Sequence, residues 1–295
     1  MKVLILGGSG MLGHKLWQTF AERFDAYATF RQRPPDYDAY QLFDPARSLW
    51  PVSAEDFDSV TRAVARVRPA AVVNCIGIVK QDAAAKDPLR SISVNSLFPH
   101  RLAELCRAAG ARLIHVSTDC VFSGRRGGYA ERDAPDAEDL YGRTKLLGEV
   151  DAPGCLTVRT SMIGRELRGA HGLVEWFLSQ EGARVRGFKR AVFSGFTTRA
   201  LAELLASVIA EHADLCGVIN VAAKPITKFD LLSLVKEIYG LHIEIEPDET
   251  FVCDRSLDAS RFRQETGLDA PSWPRMIEQM HEDSTPYEEL RRVHA

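Results

Sequence analysis

Tyr141 and Lys145 stand four residues apart in Tyr141-Gly-Arg-Thr-Lys145. On a helix, that spacing puts both side chains on one face, one turn apart. A phenol beside an ammonium is an acid–base pair, because the cation favours the phenolate and draws an ordinary pKa near 10 toward neutral pH. The spacing is frequent by chance, and alone it describes a surface Tyr beside a surface Lys. A third group gives it weight. The run ending Val116-Ser117-Thr118-Asp119 reads as a strand with hydroxyls at its C-terminal end. In a doubly wound sheet those ends border the ligand crevice. A hydroxyl there can hydrogen-bond a substrate carbonyl and the phenol together. Thr118 is the first choice for that role and Ser117 the second.

A second chemical feature lies at the start of the chain. Gly7-Gly8-Ser9-Gly10-Met11-Leu12-Gly13 separates the apolar run Val3–Leu6 from a stretch with Leu12, Leu16, Phe20 and Phe24 at helical spacing. Glycines at 7, 10 and 13 permit a tight turn, close backbone approach to a pyrophosphate, and close helix–strand packing. A helix N-terminus adds oriented N–H groups and partial positive charge. Gly7, Ser9, Gly10, Met11, Leu12 and Gly13 are therefore the expected phosphate contacts. The end of the second strand chooses the dinucleotide. It reads Phe30-Arg31-Gln32-Arg33, with no carboxylate for ribose hydroxyls, and Arg31 suits a 2′-phosphate. NADP(H) is favoured over NAD(H). Asp44, closing a third strand over Tyr40–Phe43, either reaches an adenine amino group or is a plain turn residue.

The elements that must position these groups follow from periodicity. Strands are expected at residues 3–6, 26–30, 40–43, 71–74, 112–117 and 156–159. Helices alternate with them at 11–24, 53–67 (Ser53 as N-cap), 87–109 (Pro88 early in it) and 140–150. Such alternation implies right-handed crossovers and a parallel sheet covered on both faces. The expected fold is α/β, a doubly wound Rossmann-type sheet over residues 1–160, with a smaller C-terminal α/β lobe over 161–295. Segments of that lobe are expected to return to the Rossmann unit. In it, helices are expected at 172–179, 199–211 and 228–239, strands at 218–221 and 243–245, and a last helix after Pro271-Ser-Trp-Pro274. The leucine stripes of 201–205 and 231–235 read as core.

Composition narrows the classes. The 295 residues are 45% hydrophobic and 26% charged, enough to bury a core. A net charge of −3 gives no field for polyanions, so nucleic acid is excluded as the expected partner. Six scattered Cys without a CxxC pair, and eight scattered His, support neither a disulfide framework nor a metal site. No apolar stretch reaches membrane-span length, and the N-terminal apolar run is too short for a signal peptide. The expected location is the cytoplasm.

Taken together, the motifs resemble a known superfamily. The glycine loop, Asn74-Cys-Ile-Gly77, Ser117-Thr-Asp-Cys-Val-Phe-Ser-Gly124, Tyr129-Ala-Glu-Arg-Asp133, and YxxxK followed by Gly148-Glu149 resemble the extended short-chain dehydrogenases/reductases. Within these, the chain looks most similar to the dTDP-4-dehydrorhamnose reductase (RmlD-like) branch. Looser likeness continues through Arg159-Thr-Ser-Met-Ile-Gly164, Gly195-Phe-Thr-Thr198, Gly217-Val-Ile-Asn220 and the Asp258 to Trp273 stretch. The resemblance implies hydride transfer from a reduced nicotinamide to the 4-keto carbon of a nucleotide-activated deoxyhexulose. Tyr141 would donate the proton, Lys145 would hold the nicotinamide ribose and tune Tyr141, and Thr118 would orient the carbonyl. Asn95 would support Lys145 through water, unless it is a helix residue facing solvent. Cys75, Ile76, Gly77 and Ser117 would line the cofactor with Tyr141 and Lys145. Arg159, Arg165, Arg168 and Arg255 are candidates for the substrate diphosphate. Trp176 and Trp273 either stack on its base or pack. Analogy with the family implies a homodimer.

The chain departs from that branch where the sugar would sit. Cys120 replaces the usual aromatic, Ser123 an Asp, and Met162 an aromatic, and residues 76–81 lack the usual alanines. A related 6-deoxy or N-acetylated 4-ketosugar is therefore equally allowed. Three other readings compete. A dehydratase of this superfamily would carry Glu where Cys120 stands. An epimerase retains NAD, which suits Arg31 less well. A non-catalytic NADP-binding subunit, as occurs in this branch beside methionine adenosyltransferase, is compatible with the same motifs.

Overall fold

The structure is a computed structural model and describes residues 1–32, 42–80 and 83–292. Val3 to Leu6 form strand β1 (Lys2–Leu6), and all four are fully buried, as an apolar run between two helical layers must be. The chain then winds outward in one direction through α1 (Gly13–Arg23), β2 (Asp25–Thr29) and β3 (Ser48–Leu49). It crosses back through α2 (Phe57–Val67) to β4 (Ala71–Asn74), on the other side of β1. A long helical stretch follows as α3 (Pro88–Ser91), a π-helical turn (Ile92–Leu97) and α4 (Phe98–Ala109). Then come β5 (Arg112–Val116), α5 (Leu140–Leu147) and β6 (Cys155–Arg159). With β10 (Gly217–Asn220) from later in the chain, the seven strands are parallel in the order β10-β6-β5-β4-β1-β2-β3, and the order reverses between β1 and β4. That reversal opens the crevice in which doubly wound sheets hold ligands.

The rest of the chain builds two smaller sheets and returns to the large one. β7 (Met162–Ile163) pairs with β9 (Phe196–Thr197), and α6 (Leu173–Leu178) and β8 (Arg184–Phe193) lie between them in the chain. α7 (Thr198–Glu211) packs on α1, and β10 (Gly217–Asn220) extends the large sheet beside β6. β11 (Ile226–Thr227), β8 and β12 (Glu244–Asp254) make a three-stranded sheet against which α8 (Lys228–Tyr239) packs. The chain ends in α9 (Ser260–Thr266), α10 (Trp273–His281) and α11 (Tyr287–Arg292). One apolar core joins α1, α7 and α10, and another fills the opposite face of the large sheet under α2 and α4.

Several local expectations are corrected. The third strand is Ser48–Leu49; Tyr40 and Gln41 lie outside the described residues, and Leu42 and Phe43 are not strand. Asp44 closes no strand: it is exposed and accepts from Ala46 N (2.9 Å) to cap the short turn Pro45–Arg47. Helix α2 begins at Phe57 with Asp56 as its cap, while the Ser53 hydroxyl accepts from Glu55 N before the helix. Strand β8 is missing from the sequence reading, and β12 is far longer than residues 243–245. In β8 the charges of Arg184 and Arg186 stand on the exposed face between buried Val185 and Gly187, and most of β12 is exposed, so neither strand shows an apolar run. Those charges pair across the ladder, Arg184 with Glu244 and Glu246 (both 3.0 Å) and Arg186 with Asp248 (3.4 Å). Pro274 lies inside the first turn of α10, and α11 is a further helix beyond it.

Candidate active site

The glycine turn is a close approach of backbones. A Cβ on Gly13 would lie 2.0 Å from the Gly7 carbonyl oxygen, and Gly7 has φ +89°. A Cβ on Gly8 would sit 2.9 Å from Ala28 Cβ. Gly7 N–H donates to Thr29 Oγ1 (3.2 Å), a tether between β1 and β2 with no signal in the sequence. A cleft of about 400 Å³ opens beside the turn, and Gly7, Ser9, Gly10, Arg31, Cys75, Ile76 and Gly77 all line it. Arg31 is exposed on its wall, where Glu55 and Arg90 also stand as an ion pair (3.0 Å). Met11 and Leu12 lead into the first turn of α1, with the Leu12 side chain inside the core. They can therefore offer an anion only N–H groups. A bare, glycine-walled cradle at a helix N-terminus fits a pyrophosphate.

Across the crevice, Asp139 caps α5 through Gly142 N (2.7 Å) and pairs with Lys80 (2.6 Å). Tyr141 and Lys145 follow on that helix. Lys145 is 5% exposed, and its Nζ donates to the Val116 carbonyl at the end of β5 (2.8 Å). Burial lowers its pKa to about 8, with the Glu149 carboxylate pulling it back up. Tyr141 is half-buried and hydrogen-bonded to the Thr118 hydroxyl. Its phenol is pushed up, first by burial and then by Cys120, while the Thr118 bond pulls it down. The expectation that Lys145 depresses the phenol is therefore overturned in this structure, since desolvation is the largest effect.

The two hydroxyls at the end of β5 separate clearly. Ser117 Oγ donates to Glu149 Oε1 (2.7 Å) and is committed there. Thr118 Oγ1 accepts from Cys120 N (3.1 Å), which fixes it as the cap of the turn Asp119–Val121 and aims it at Tyr141. Asn95 sits in the π turn, 1% exposed. It accepts from Ile78 N (2.9 Å) and donates to Ile78 O (3.0 Å) and Thr144 Oγ1 (3.4 Å). A solvent-facing Asn95 is thus overturned. Gly77 lies between it and Lys145: a Cβ there would be 3.4 Å from Asn95 Oδ1 and 4.0 Å from Lys145 Nζ. Gly148 lets α5 seat against the same turn, since a Cβ would meet Asn95 O at 1.9 Å.

The arginine candidates part company. Arg159 makes a two-pronged ion pair with Glu149 (2.8 and 2.7 Å), both side chains 6% exposed, so it holds the sheet end and not a diphosphate. Arg165 is bound to buried Glu175 and to Glu288 (both 2.7 Å). Arg168 lies in the chain between β7 and α6. Arg255 does face the site: its Nε donates to Phe122 O (2.9 Å), and it interacts with Cys120 and Asp119. Trp273 is buried packing with its N–H on Lys224 O (2.6 Å), and Trp176 is partly exposed. Lys228, at the start of α8, was not among the sequence candidates. Burial lowers its pKa to about 8, and the charge on Asp119, beside Thr118, pulls it up. A single Lys after a helix cap carries no pattern that could have announced it.

A switch-point crevice with a glycine cradle on one side and a Thr–Tyr–Lys set on the other defines the class, the extended short-chain dehydrogenases/reductases. The family is narrower. Residues 1–284 match the RmlD substrate binding domain, and the chain belongs to that family. Over 147 residues it is 35% identical to a dTDP-4-dehydrorhamnose reductase of Streptomyces griseus, covering 50% of this chain and 43% of that one. Over 173 residues it is 29% identical to methionine adenosyltransferase 2 subunit beta of Danio rerio, covering 56% and 49%. The matched part spans about half or less of these curated relatives. The solved structure of a Bacillus anthracis dTDP-4-dehydrorhamnose reductase in complex with NADP shares the fold, with a TM-score of 0.77 and 22% identity over 95% of this chain and 98% of that one.

The Glu149–Arg159 pair makes a structural prediction. Glu149→Gln or Arg159→Leu leaves a buried charge alone and should cost about 3–5 kcal/mol in denaturant unfolding. A stability loss below about 1 kcal/mol for both variants would show that the pair is not what holds the end of the sheet.

Proposed function

We propose that this chain is an NADPH-dependent reductase of the 4-keto group of a nucleotide-activated deoxyhexulose. The observation that carries the reading is the Thr118–Tyr141 hydrogen bond one helical turn from a buried Lys145, facing the glycine cradle. When bound in that cradle, the dinucleotide would supply the hydride. Tyr141 would give its proton to the ketone oxygen. A phenol raised by burial stays fully protonated at neutral pH, which suits a donor. Thr118 would hydrogen-bond the same oxygen and fix its position. Lys145, still mostly cationic at neutral pH, would hold the ribose and offset the charge left on the phenolate. Arg31 would meet a 2′-phosphate, as its place on the cleft wall allows. Cys120 argues against a dehydratase, because a thiol pushed up to about 12 is a poor acid or base at neutral pH. The sugar and its nucleotide would lie toward Arg255 and Lys228.

All six cysteines are free, and no described helix is long and apolar enough to cross a membrane. The free thiols support a cytoplasmic location. Exposed Leu89, Ile92, Leu97 and Leu147 lie on the adjoining elements from α3 to α5. A second copy of the chain is the proposed cover, and a monomer mass by light scattering at micromolar concentration would remove it.

The reductase itself is tested by NADPH and NADH absorbance against a panel of 4-keto-6-deoxy sugar nucleotides. Turnover with NADPH is expected, and Tyr141→Phe should lower kcat by about 10²–10⁴-fold. Tight NADPH binding without turnover on any ketosugar would sink the reductase and favour a regulatory binder, the role suggested by the methionine adenosyltransferase likeness.

The pH profile follows from Lys145. Its cation is present below about 8 and lost above it. The rate should fall as pH rises through 8, with kcat measured at saturating NADPH. A flat profile to pH 10 would contradict a charged Lys145 in the active form.

A further inference from the structure

The far end of the chain reaches the glycine turn. Tyr287 opens α11 and is 2% exposed, and Leu290 is fully buried behind it. The family match stops at residue 284, so this docked segment lies beyond it. The Tyr287 hydroxyl stands 3.0 Å from His14 Nε2, and the two rings meet edge-on at 5.7 Å. On its other side, His14 Nδ1 lies 2.9 Å from the Gly10 carbonyl oxygen. Gly10 N–H in turn donates to Gly7 O (3.0 Å). One imidazole therefore joins the C-terminal helix to the phosphate cradle.

The protons can be assigned. Burial and the Lys15 ammonium push His14 down to about 4, so the ring is neutral with one N–H. Gly10 O can only accept, which places that proton on Nδ1 and leaves Nε2 as an acceptor. The Tyr287 hydroxyl has one proton for two acceptors, Nε2 and Asp283 Oδ2 (2.6 Å). Asp283 is held by Lys15 and by Thr285 Oγ1 (2.8 Å), and the Arg165 guanidinium lies over the Tyr287 ring at 4.7 Å. Asp283 and Arg165 fix Tyr287, and its hydroxyl closes on Nε2 with the same proton that it shares with Asp283 Oδ2. In a trans peptide, the Gly10 C=O and the Met11 N–H point in opposite directions. The Gly10 carbonyl already accepts the His14 backbone N–H (3.1 Å), and the ring adds a second bond that holds it along the helix, which aims the Met11 N–H outward from the helix N-terminus, where an anion binds.

We infer that Tyr287, acting through His14, positions the Gly10–Met11 peptide for the dinucleotide pyrophosphate, which makes the C-terminal segment a positioning element of the cofactor site. This rests on the dinucleotide reading above. Tyr287→Phe keeps the ring and its packing and removes the hydroxyl. Glu288→Gln is the control, because that carboxylate pairs with Arg165 and Arg291. NADPH is titrated by its fluorescence, and amide hydrogen exchange at Gly7–Gly13 is followed without nucleotide. Tyr287→Phe should weaken NADPH binding about fivefold, the worth of one hydrogen bond, speed exchange in the turn, and leave kcat at saturating NADPH unchanged. Glu288→Gln should do neither. Unchanged affinity and exchange in Tyr287→Phe would overturn the inference, as would an equal loss in Glu288→Gln, which would reduce it to general docking. Wild type that binds no dinucleotide would overturn the functional reading, while the exchange comparison would still judge the Tyr287–His14 link.

Discussion

The site depends on keeping one ammonium charged inside the protein. Lys145 is buried at the end of β5, where an unpaired cation would be driven to neutrality. Two groups oppose that. The Val116 carbonyl takes its hydrogen bond, and the Glu149 carboxylate, one turn further along, supplies opposite charge. Glu149 would itself be a buried liability without Arg159 and Ser117. The four side chains form one compensated cluster that ties α5 to the ends of β5 and β6. Tyr141 reaches Thr118 because α5 is held there.

This arrangement costs stability. The unfolded chain binds the Lys145 proton up to the ordinary value of 10.5, and the folded chain only to about 8. Below pH 8 both states hold the proton and folding bears the full cost of burying it. Between 8 and 10.5 the unfolded state binds more protons, so this residue's contribution rises with pH. A neutral, similar-sized side chain would fold more easily at pH 7, the usual sign of a residue placed for chemistry.

The fold was legible because its signals are local. The buried run Val3–Leu6 and the helices that begin near residues 87 and 140 each declare themselves within a few residues. β8 and β12 were opaque because each finds its ladder partner and its cross-strand charges about sixty residues away, which no single window contains. The same division runs through the site. Glycines, hydroxyls and the Tyr–Lys spacing were readable, since each is set by a turn or a helix. The fates of Ser117 and Arg159 were not, because both depend on where Glu149 lies. Lys228 and Arg255 reach the site from α8 and the end of β12, more than 100 residues beyond Asp119 and Cys120, and have meaning only through them.

The cofactor side shows the same principle at the longest range. A glycine turn is chosen for the conformations it permits, and permissiveness alone does not select one of them. The selection comes from outside the motif. Thr29 on the neighbouring strand holds Gly7 N–H, and His14 on the following helix holds Gly10 O. His14 is held by a phenol from the last helix of the chain. The turn most readable in the sequence is thus completed by residues the motif does not contain, one of them more than 270 positions away.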